Sequence, residues 1–362
     1  MNFYNLNRGL NKRLHRYFSY QSTKVQYRSK IRKIIKEQNI PDLTKDQKKQ
    51  IASYYASYGF KNICTDWHRY YTYKTGNFFV EYIPEDFFYN VIEPSLNMKM
   101  MFPSLTDKNL LDRLFRGVKQ PDTLVKNING FFFNSSNEIL NEKDVIDICL
   151  QNKNIVIKPS IDSGGGKNVL VLKVNNNTEE VTELSEVLRR FSQNFIIQAF
   201  LEQHPGMSLL SETSVNTLRI KTILMEDKVQ PLYSVVRMSN NGASIDNIAN
   251  GGIFCGIDEN GKLIKNAYNG NNIKFESNNN GIIFEGYEVP NFNEAIKTVK
   301  RLHLQVPYFK MVSWDIAIDH SGSPVLIEYN VIGQGYGEMR GPMFGKYTSQ
   351  VLGMSKRKLF EW

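Results

Sequence analysis

Two acidic residues near the C-terminal end of the chain have the spacing of a divalent-cation site. Apolar strands, KMVSWDIAID and PVLIEYNV, flank residues 320–323, and this pattern predicts a hairpin. In a regular hairpin Asp315 faces Glu328, with Asn330 beside Glu328 on the same face. A uniform register about this turn pairs Asp319 with Pro324, Ala317 with Leu326, Asp315 with Glu328 and Ser313 with Asn330.

Carboxylates that face each other across a hairpin are unfavourable unless something neutralises them. Cross-strand Cβ atoms lie about 5 Å apart, and like charges at that distance destabilise the pair. Either one carboxylate is protonated or a cation lies between the two. Asp315, Glu328 and Asn330 together offer the hard oxygen ligands that Mg²⁺ prefers, so the spacing indicates a magnesium site. The alternative is that both acids are ordinary residues on a solvated polar face.

A lysine followed by a glycine-rich loop lies in the middle of the chain. The predicted strand IVIK (155–158) ends in Lys158, and the loop DSGGGK (162–167) leads to the strand NVLVLKV (168–174). Glycines allow backbone amides to turn toward an anion. The loop has neither the Walker A nor the Rossmann spacing. An ordinary turn is the alternative reading.

A second predicted hairpin carries cations on one face. Its strands are NTLRIKTILM (216–225) and VQPLYSVVRM (229–238), and a register that places Met225 opposite Val229 also places Thr217 opposite Arg237. Arg219 and Arg237 then share a face, with Lys221 next along the strand. Such a face favours phosphate or carboxylate ligands, because arginine makes bidentate contacts with both. The alternative is an exposed face that its charges keep soluble.

Further elements follow from hydrophobic periodicity and from turn residues. Helices are predicted at 25–38, at 42–58 after a break and cap at Pro41-Asp42, and at 107–118, 179–191 and 293–304. A strand is predicted at 195–201, and the Asn- and Gly-rich stretch 266–281 is predicted to be a loop or a mobile hairpin. The Tyr- and Phe-rich residues 60–105 have no clear period.

Bulk composition is that of an ordinary globular protein, and the length suits two or three lobes. The chain has 362 residues, 41% hydrophobic and 22% charged, with no apolar run of membrane-spanning length and no secretory signal, so the cytoplasm is the expected location. Three scattered cysteines indicate neither a disulfide framework nor a zinc site. Residues 1–50 hold 13 Lys and Arg against 3 Asp and Glu, whereas the remainder holds 32 against 33. The basic segment could touch acidic lipid, nucleic acid or an anionic substrate, or it could be a solvated helix face.

Together and in this order, these segments resemble the ATP-grasp superfamily. IVIKPSIDSGGGKNVLVL (155–172) is similar to its central lysine and glycine-rich flap, FIIQAFLEQHP (195–205) to its adenine hinge, and WDIAID with VLIEYN to its paired carboxylates. The segments NTLRIKTI (216–223), IDNIANGGI (245–253) and SWDIAID (313–319) resemble the sugar-transfer-associated branch. The resemblance implies an α+β ATP-grasp fold with a small α+β lid lobe, a larger antiparallel-sheet C-terminal lobe and a helical, basic N-terminal region. The implied segments are 1–104 (N-terminal region), 105–150 (first-lobe remainder), 151–200 (lid lobe) and 201–362 (C-terminal lobe with the metal site).

The resemblance also implies roles for individual residues. Lys108 and Lys158 would bind the nucleotide phosphates, and the lid over the β- and γ-phosphates would be formed by Ser163, Gly164, Gly165 and Gly166. Adenine would be bound by the main chain of Gln198, Ala199, Phe200 and Leu201. The Mg²⁺ ligands would be Asp315, Glu328 and Asn330. Two departures stand out. Gln198 replaces a common Glu, which leaves Glu202 as the nearest ribose-binding acid. Ser313 and Trp314 lie where an Arg often precedes the metal-binding Asp, so stabilising the transition-state charge would fall to Arg219 or Arg237.

The activity implied by the resemblance is an ATP-dependent carboxylate–amine ligase. Such an enzyme forms an acyl-phosphate that an amine then attacks, with ATP and Mg²⁺ as the cofactors. A polysaccharide context suggests a uronic acid joined to an amino acid or an amino sugar. The N-terminal basic segment is the expected place for any peripheral membrane contact, and no nucleic acid is expected as a partner. Two alternatives stay open: a kinase of the same fold that phosphorylates a hydroxyl, and a non-catalytic module that docks on membrane or nucleic acid.

Overall fold

The computed structural model describes residues 3–161, 168–174, 178–240, 251–270, 273–334 and 341–360; at 3–17, 178–180 and 357–360 it describes the helical backbone alone. The described α-helices are α1 (Phe3–Glu37), α2 (Lys45–Ser57), α3 (Thr65–Thr75), α4 (Glu85–Phe87), α5 (Glu93–Leu96), α6 (Phe102–Leu105), α7 (Leu111–Leu114), α8 (Glu142–Leu150), α9 (Thr178–Phe191), α10 (Pro205–Ser208), α11 (Phe292–His303) and α12 (Thr348–Phe360). A π-helical turn, Phe88–Ile92, connects α4 to α5, and short 3₁₀ turns lie at Lys99–Met101, Lys108–Leu110 and Gly345–Tyr347.

The strands form two antiparallel sheets. They are β1 (Thr123–Ile128), β2 (Phe131–Phe133), β3 (Ile139–Leu140), β4 (Asn154–Pro159), β5 (Leu170–Lys173), β6 (Phe195–Ala199), β7 (Thr217–Met225), β8 (Lys228–Met238), β9 (Ile253–Ile257), β10 (Leu263–Asn269), β11 (Lys274–Phe275), β12 (Met311–Ile318) and β13 (Pro324–Asn330). The six-stranded sheet has the order β3-β2-β1-β6-β4-β5, and the seven-stranded sheet has the order β11-β10-β9-β8-β7-β12-β13. Helices and antiparallel sheets together give the predicted α+β class.

The chain divides into two compact units. The helical unit comprises 1–99, 309–311 and 332–362, and the sheet unit comprises 100–308 and 312–331. Residues 332–362 therefore belong to the same unit as the N-terminal helices. The sequence does not indicate this, because nothing local in the two segments marks them as neighbours. The four segments expected from the sequence remain a proposal about lobes.

In the helical unit, isoleucines of α1 and aromatic residues of α3 form the core. Ile31, Ile35, Trp67 and Tyr71 are buried there together with Tyr82. The predicted break and cap at Pro41-Asp42 is wrong in its position. Thr44 caps α2 instead, because its Oγ1 accepts the Gln47 amide at 3.1 Å and Gln47 Oε1 accepts the Thr44 amide at 2.9 Å. Asp42 lies outside the helix and pairs with Lys48 at 2.6 Å.

The six-stranded sheet packs one face against α8 and α9. The apolar contact involves one sheet face and two helices. The sheet contributes Val125, Ile155, Ile157 and Ile197, α8 contributes Val145 and Cys149, and α9 contributes Leu184, Val187 and Leu188. The sequence indicates β4, β5, α9 and β6, but it gives no sign that β1, β2 and β3 complete the same sheet. The expected helix 107–118 is also too long. A 3₁₀ turn and α7 end at Leu114, and Phe115 is already extended.

In the seven-stranded sheet, both predicted hairpins keep their register near the charged residues and lose it near their turns. Asp315 pairs with Glu328 and Ser313 with Asn330, as predicted, but a register shift between Asp315 and Ile316 pairs Ala317 with Val325 instead of Leu326. Thr217 pairs with Arg237, as predicted, but a shift between Lys221 and Thr222 pairs Met225 with Lys228 instead of Val229. Each shift marks a β-bulge, which adds one residue to one strand.

Of the loop and the hairpin predicted for residues 266–281, the structure has the hairpin. Strand β10 continues to Asn269 and pairs with β11, and residues 271–272 lie outside the described part of the chain. Helix α11 packs on β7 and β8 through buried residues such as Ala295, Val299 and Leu302. The sheet face behind the charged residues is thereby closed by an apolar layer.

Candidate active site

Four neighbouring strands of the seven-stranded sheet carry a row of charged residues. Arg237 lies on β8, Arg219 on β7, Asp315 on β12 and Glu328 on β13, which is the order of these strands in the sheet. Two positive charges are therefore followed by two negative ones. The sequence shows the cationic hairpin and the acidic hairpin as separate features, because strand order cannot be read from either hairpin.

Asp315 is the centre of this row. Its side chain is 2% exposed, and Arg219 donates to both carboxylate oxygens, with Nε–Oδ1 at 2.8 Å and Nη2–Oδ2 at 2.6 Å. Arg237 Nη1 and Asn330 Nδ2 each donate to Oδ2 at 3.3 Å. Such a bidentate pair holds both side chains in one orientation and keeps both of them ionised.

These contacts keep Asp315 ionised. Burial by itself would raise its pKa, but the positive charges of Arg219 and Arg237 outweigh burial and lower the pKa of Asp315 to about 2. Asp315 in turn raises the pKa of the buried Arg219 guanidinium, although desolvation opposes that shift. Sequence reasoning considered a proton or a metal ion as the means to relieve the acidic pair. The structure supplies a third means, because two arginines neutralise one carboxylate.

Glu328 has different surroundings. Its side chain is 27% exposed, and Lys108 Nζ lies 3.2 Å from Oε2. Lys108 reaches this place because its amide donates to Ser160 O at 2.9 Å, while the Asp107 carboxylate caps the Asn109 amide at 2.9 Å. The sequence does not indicate this anchoring, which joins the 3₁₀ turn to the end of β4.

Lys158 lies at the end of β4 and is 9% exposed. Burial lowers its pKa to about 8, and the nearby positive charge of Lys108 adds to this effect, whereas Glu328 opposes it. The structure therefore brings Lys158 close to Lys108 and Glu328, and the roles of the two lysines as phosphate ligands stay a prediction. A lysine so poorly neutralised by protein groups has the electrostatic character of an anion-binding residue.

The predicted adenine hinge lies on β6 and just after it. Gln198 is buried and pairs with Thr123 and Val156 in the sheet. The amides of Ala199 and Phe200 donate to the carbonyls of Asp122 and Asn154 at 2.9 and 3.1 Å. Two of the expected main-chain donors are thus engaged within the protein. Within the described part of the chain, the Leu201 amide has no such backbone partner.

Two other predicted groups cannot be placed in the site. Ser163, Gly164, Gly165 and Gly166 lie outside the described residues. Glu202 is exposed, and its carbonyl accepts the His320 amide at 2.9 Å. Its role as a ribose-binding acid therefore stays a prediction.

The oxygen donors of the acidic hairpin fit a hard divalent cation. Asp315, Glu328 and Asn330 offer only oxygens and an amide, and an ionised carboxylate accepts several partners at once. The depressed pKa of Asp315 keeps that donor charged, as a metal ligand must be. Among the described residues no group of three His, Cys, Asp or Glu forms a metal cluster.

One further cation belongs to this face of the sheet. Lys221 is fully buried, and its Nζ lies 5.1 Å from the centroid of the Tyr233 ring, at cation–π distance. Sequence reasoning placed it next along the arginine face but did not predict its burial. A lysine buried beside two arginines increases the positive potential of this face.

The family model for sugar-transfer associated ATP-grasp proteins matches residues 89–339, which is more than half of the chain. The chain belongs to the sugar-transfer associated ATP-grasp family. This confirms both the suspected branch and the ATP-grasp fold. No curated protein sequence matches this chain.

Solved structures with a similar fold include several ligases. The ATP-grasp ligase PsnB complexed with minimal precursor has 14% identity and a TM-score of 0.41, over 72% of this chain and 64% of that chain. The L-amino acid ligase from Bacillus licheniformis has 13% identity and a TM-score of 0.39, over 70% and 48%. The D-alanine–D-alanine ligase from Bacillus anthracis has 13% identity and a TM-score of 0.39, over 71% and 68%. The match thus spans less than two thirds of PsnB and about half of the L-amino acid ligase.

Across the described residues, the helices are too short or too polar to cross a membrane.

Proposed function

We propose that this protein is an ATP-dependent carboxylate–amine ligase, which forms an amide through an acyl-phosphate. The observation that carries the proposal is the convergence of Lys108, Lys158, Arg219 and Arg237 on the acidic pair Asp315–Glu328. Among the described residues four cations lie near two acids, which favours an anionic ligand, and the family supports ATP as that ligand. We further propose a role in cell-surface polysaccharide biosynthesis, with a uronic acid and an amino acid or amino sugar as substrates.

Nucleotide binding in this proposal depends on charge. ATP brings about four negative charges, and phosphoryl transfer is catalysed mainly by positioning and by stabilising that charge. Lys158 and Lys108 would bind phosphate oxygens, and Lys108 would leave its contact with Glu328 to do so. The Leu201 amide remains available to adenine, whereas those of Ala199 and Phe200 are engaged.

A divalent ion would be held by Asp315, Glu328 and Asn330. When bound, Mg²⁺ supplies positive charge beside the phosphates and draws electron density from them. Arg219 holds the Asp315 carboxylate in one orientation, so this ligand is positioned before any ion arrives. Arg237 stabilises the same carboxylate from a third direction.

The reaction has two transfers. A substrate carboxylate oxygen attacks the γ-phosphorus, and ADP leaves with the electrons of the bond that breaks. An amine nitrogen then attacks the acyl carbon, inorganic phosphate leaves, and the nitrogen loses a proton. Arg219, Arg237 and the two lysines stabilise negative charge during both steps, and no side chain forms a covalent bond with substrate.

The test is a substrate screen. The purified chain is incubated with ATP, Mg²⁺ and paired pools of uronic acids and amines, and ADP release is measured, with mass spectrometry of the products. We expect one pair to stimulate ADP release and to give a product of the summed masses less water. Glu288→Gln is the matched control for Glu328→Gln, because Glu288 is an exposed acid of the sheet unit whose ion pair with Lys262 lies at the surface.

Two results would contradict the ligase. A stable phosphate ester as product would identify a kinase of the same fold. If Glu328→Gln releases ADP at the same stimulated rate as the Glu288→Gln control, the acidic hairpin takes no part in the reaction.

A further inference from the structure

The helical unit contains a cavity that the proposed reaction does not use. Its volume is about 300 Å³, and its walls come from α1, from the loop between α2 and α3, and from α4 with the π-helical turn. This volume lies at the lower end of the range for ligand pockets and fits one sugar ring or one amino acid.

A buried carboxylate on the cavity wall has one oxygen without a partner. Asp86 is 4% exposed, and its Oδ2 accepts Arg28 Nε at 2.8 Å. Its Oδ1 is buried and has no hydrogen-bond partner among the residues that the structure describes. An unpaired buried carboxylate oxygen is unfavourable, because the lost hydration is not replaced. A ligand that donates an N–H or O–H group to Oδ1 would replace it.

The other charged groups on the wall are positive. Lys24 and Lys61 line the cavity together with Arg28, whose Nη2 also donates to Asn62 O at 3.1 Å. Three cations thus surround one carboxylate, so the cavity has a net positive charge. Such a site favours an anionic ligand, and carboxylates are well matched to Arg and Lys donors.

The remaining titratable groups on the wall stay neutral. Burial raises the pKa of the Cys64 thiol to about 11, and the charges of Asp86 and Asp66 add to that effect. Burial also raises the pKa of Tyr20, and the Asp86 charge adds to it. Neither group therefore cancels the positive charge of the three cations near neutral pH.

The backbone beside Asp86 departs from regular helix. The π-helical turn Phe88–Ile92 begins directly after α4, in which Asp86 lies. Turns of this kind occur often at functional sites, where they redirect side chains. This observation is independent of the charges and points to the same wall of the cavity.

We propose that this cavity binds a small carboxylate that also carries an N–H or O–H donor, such as an amino acid or a sugar acid. The carboxylate of the ligand pairs with Lys24 and Lys61, and its donor group bonds Asp86 Oδ1. The proposal is independent of the reaction assigned to the sheet unit, and either can fail without the other.

The experiment is a binding titration on the full-length chain by ligand-observed NMR. The probes are glucuronate, a panel of single amino acids, and propionate as a carboxylate without a donor group. Asp86→Asn keeps an oxygen that accepts from Arg28, but it replaces the second carboxylate oxygen, Oδ1, with an amide group that donates. Lys61→Gln removes one exposed cation, and Lys33→Gln on the exposed side of α1 is its matched control. Glu328→Gln tests whether a signal comes from the sheet unit.

We expect at least one carboxylate that carries an N–H or O–H donor to bind saturably. Binding of glucuronate would indicate a sugar acid as the ligand, and binding of an amino acid would indicate an amino acid. Asp86→Asn should weaken that ligand about tenfold or more while leaving propionate unchanged, because one charge-assisted hydrogen bond is lost. Lys61→Gln should weaken every carboxylate, whereas Lys33→Gln and Glu328→Gln should not. The proposal is overturned if no donor-bearing carboxylate binds at millimolar concentration. It is also overturned if binding survives Asp86→Asn and Lys61→Gln unchanged in chains that unfold like the wild type.

Discussion

Asp315 and Glu328 are cross-strand neighbours with different electrostatic surroundings. Asp315 is buried and neutralised by two arginines, whereas Glu328 is partly exposed and contacts Lys108. Substitution of the two acids should therefore have different effects on the stability of the chain.

Glu328→Gln should abolish ATP turnover with little change in stability. The substitution removes a charge from a side chain that is 27% exposed, and glutamine keeps an oxygen that can accept from Lys108. ADP release and urea unfolding measure the two effects. A loss of more than about 2 kcal/mol in the free energy of unfolding would contradict the exposed character of Glu328.

Asp315→Asn should destabilise the chain as well as inactivate it. The buried Arg237 and the partly exposed Arg219 would both lose their counter-charge, and breaking a buried ion pair in this way costs about 3–5 kcal/mol. Urea unfolding beside Glu328→Gln provides the comparison. Equal stability of the two variants would show that the arginines do not depend on Asp315.

Lowering the pH should weaken the interaction of Asp315 with the two arginines. The pKa of Asp315 is lowered from 3.8 to about 2 in the folded chain, so the folded state holds this proton less tightly than the unfolded state. The stabilisation is therefore complete above about pH 4 and is lost as the pH falls through about 2. The difference in unfolding free energy between wild type and Asp315→Asn should shrink over that interval. A constant difference would contradict the assignment.

Lys158 should make ATP affinity depend on pH. With its pKa lowered to about 8, its positive charge is present below that pH and is lost above it. The dissociation constant of ATP should therefore rise between about pH 7.5 and 9.5, where the terminal phosphate is fully ionised. Lys158→Arg should flatten this profile, because arginine stays protonated. Calorimetric titrations measure both, and equal slopes in the two proteins would exclude Lys158 as the titrating group.

At the scale of elements, hydrophobic period and turn residues predicted most of the site-bearing hairpins. Strands β7, β8, β12 and β13 lie within a residue or two of their predicted limits. The pairing of Arg219 with Asp315 could not be predicted, because it depends on β7 lying beside β12. Strands β1 to β3 were missed because their short segments lack a distinctive period, and the anchoring of Lys108 was missed because it involves backbone atoms.

Thr44→Ala should lower the stability of α2 by about 1 kcal/mol, because it removes one half of the capping box. Thermal unfolding by circular dichroism measures the change. Ser29→Ala on the exposed face of α1 is the control, and we expect it to be neutral. An unchanged midpoint in Thr44→Ala would show that the cap contributes little to this helix.

At the scale of the whole molecule, the helical unit is assembled from distant parts of the chain. Ser95 and Ser355 are buried and hydrogen-bonded at 2.8 Å, and Val351 and Leu352 of α12 are fully buried. The sequence shows the two terminal regions as unrelated, because long-range packing leaves no local pattern. The unit therefore cannot be separated from the sheet unit by one cut.

Removal of residues 332–362 should destabilise the N-terminal helices. The truncation uncovers the apolar residues that α12 buries, so the apparent melting temperature and the cooperativity of unfolding should both fall. A chain that ends at residue 360 serves as the control. Retention of the full melting temperature after removal of 332–362 would contradict the composition of this unit.

The two register shifts in the seven-stranded sheet have a consequence for how this fold can vary. Each shift lies between a turn and the charged residues, at Lys221–Thr222 in one hairpin and at Asp315–Ile316 in the other. An extra strand residue is thus accommodated on the turn side, and the charged side keeps its alignment. Related proteins can therefore differ in the length and composition of these two turns without misaligning the chemistry. Chimeras with exchanged turns should therefore keep the pairing of Asp315 with Glu328 and of Thr217 with Arg237.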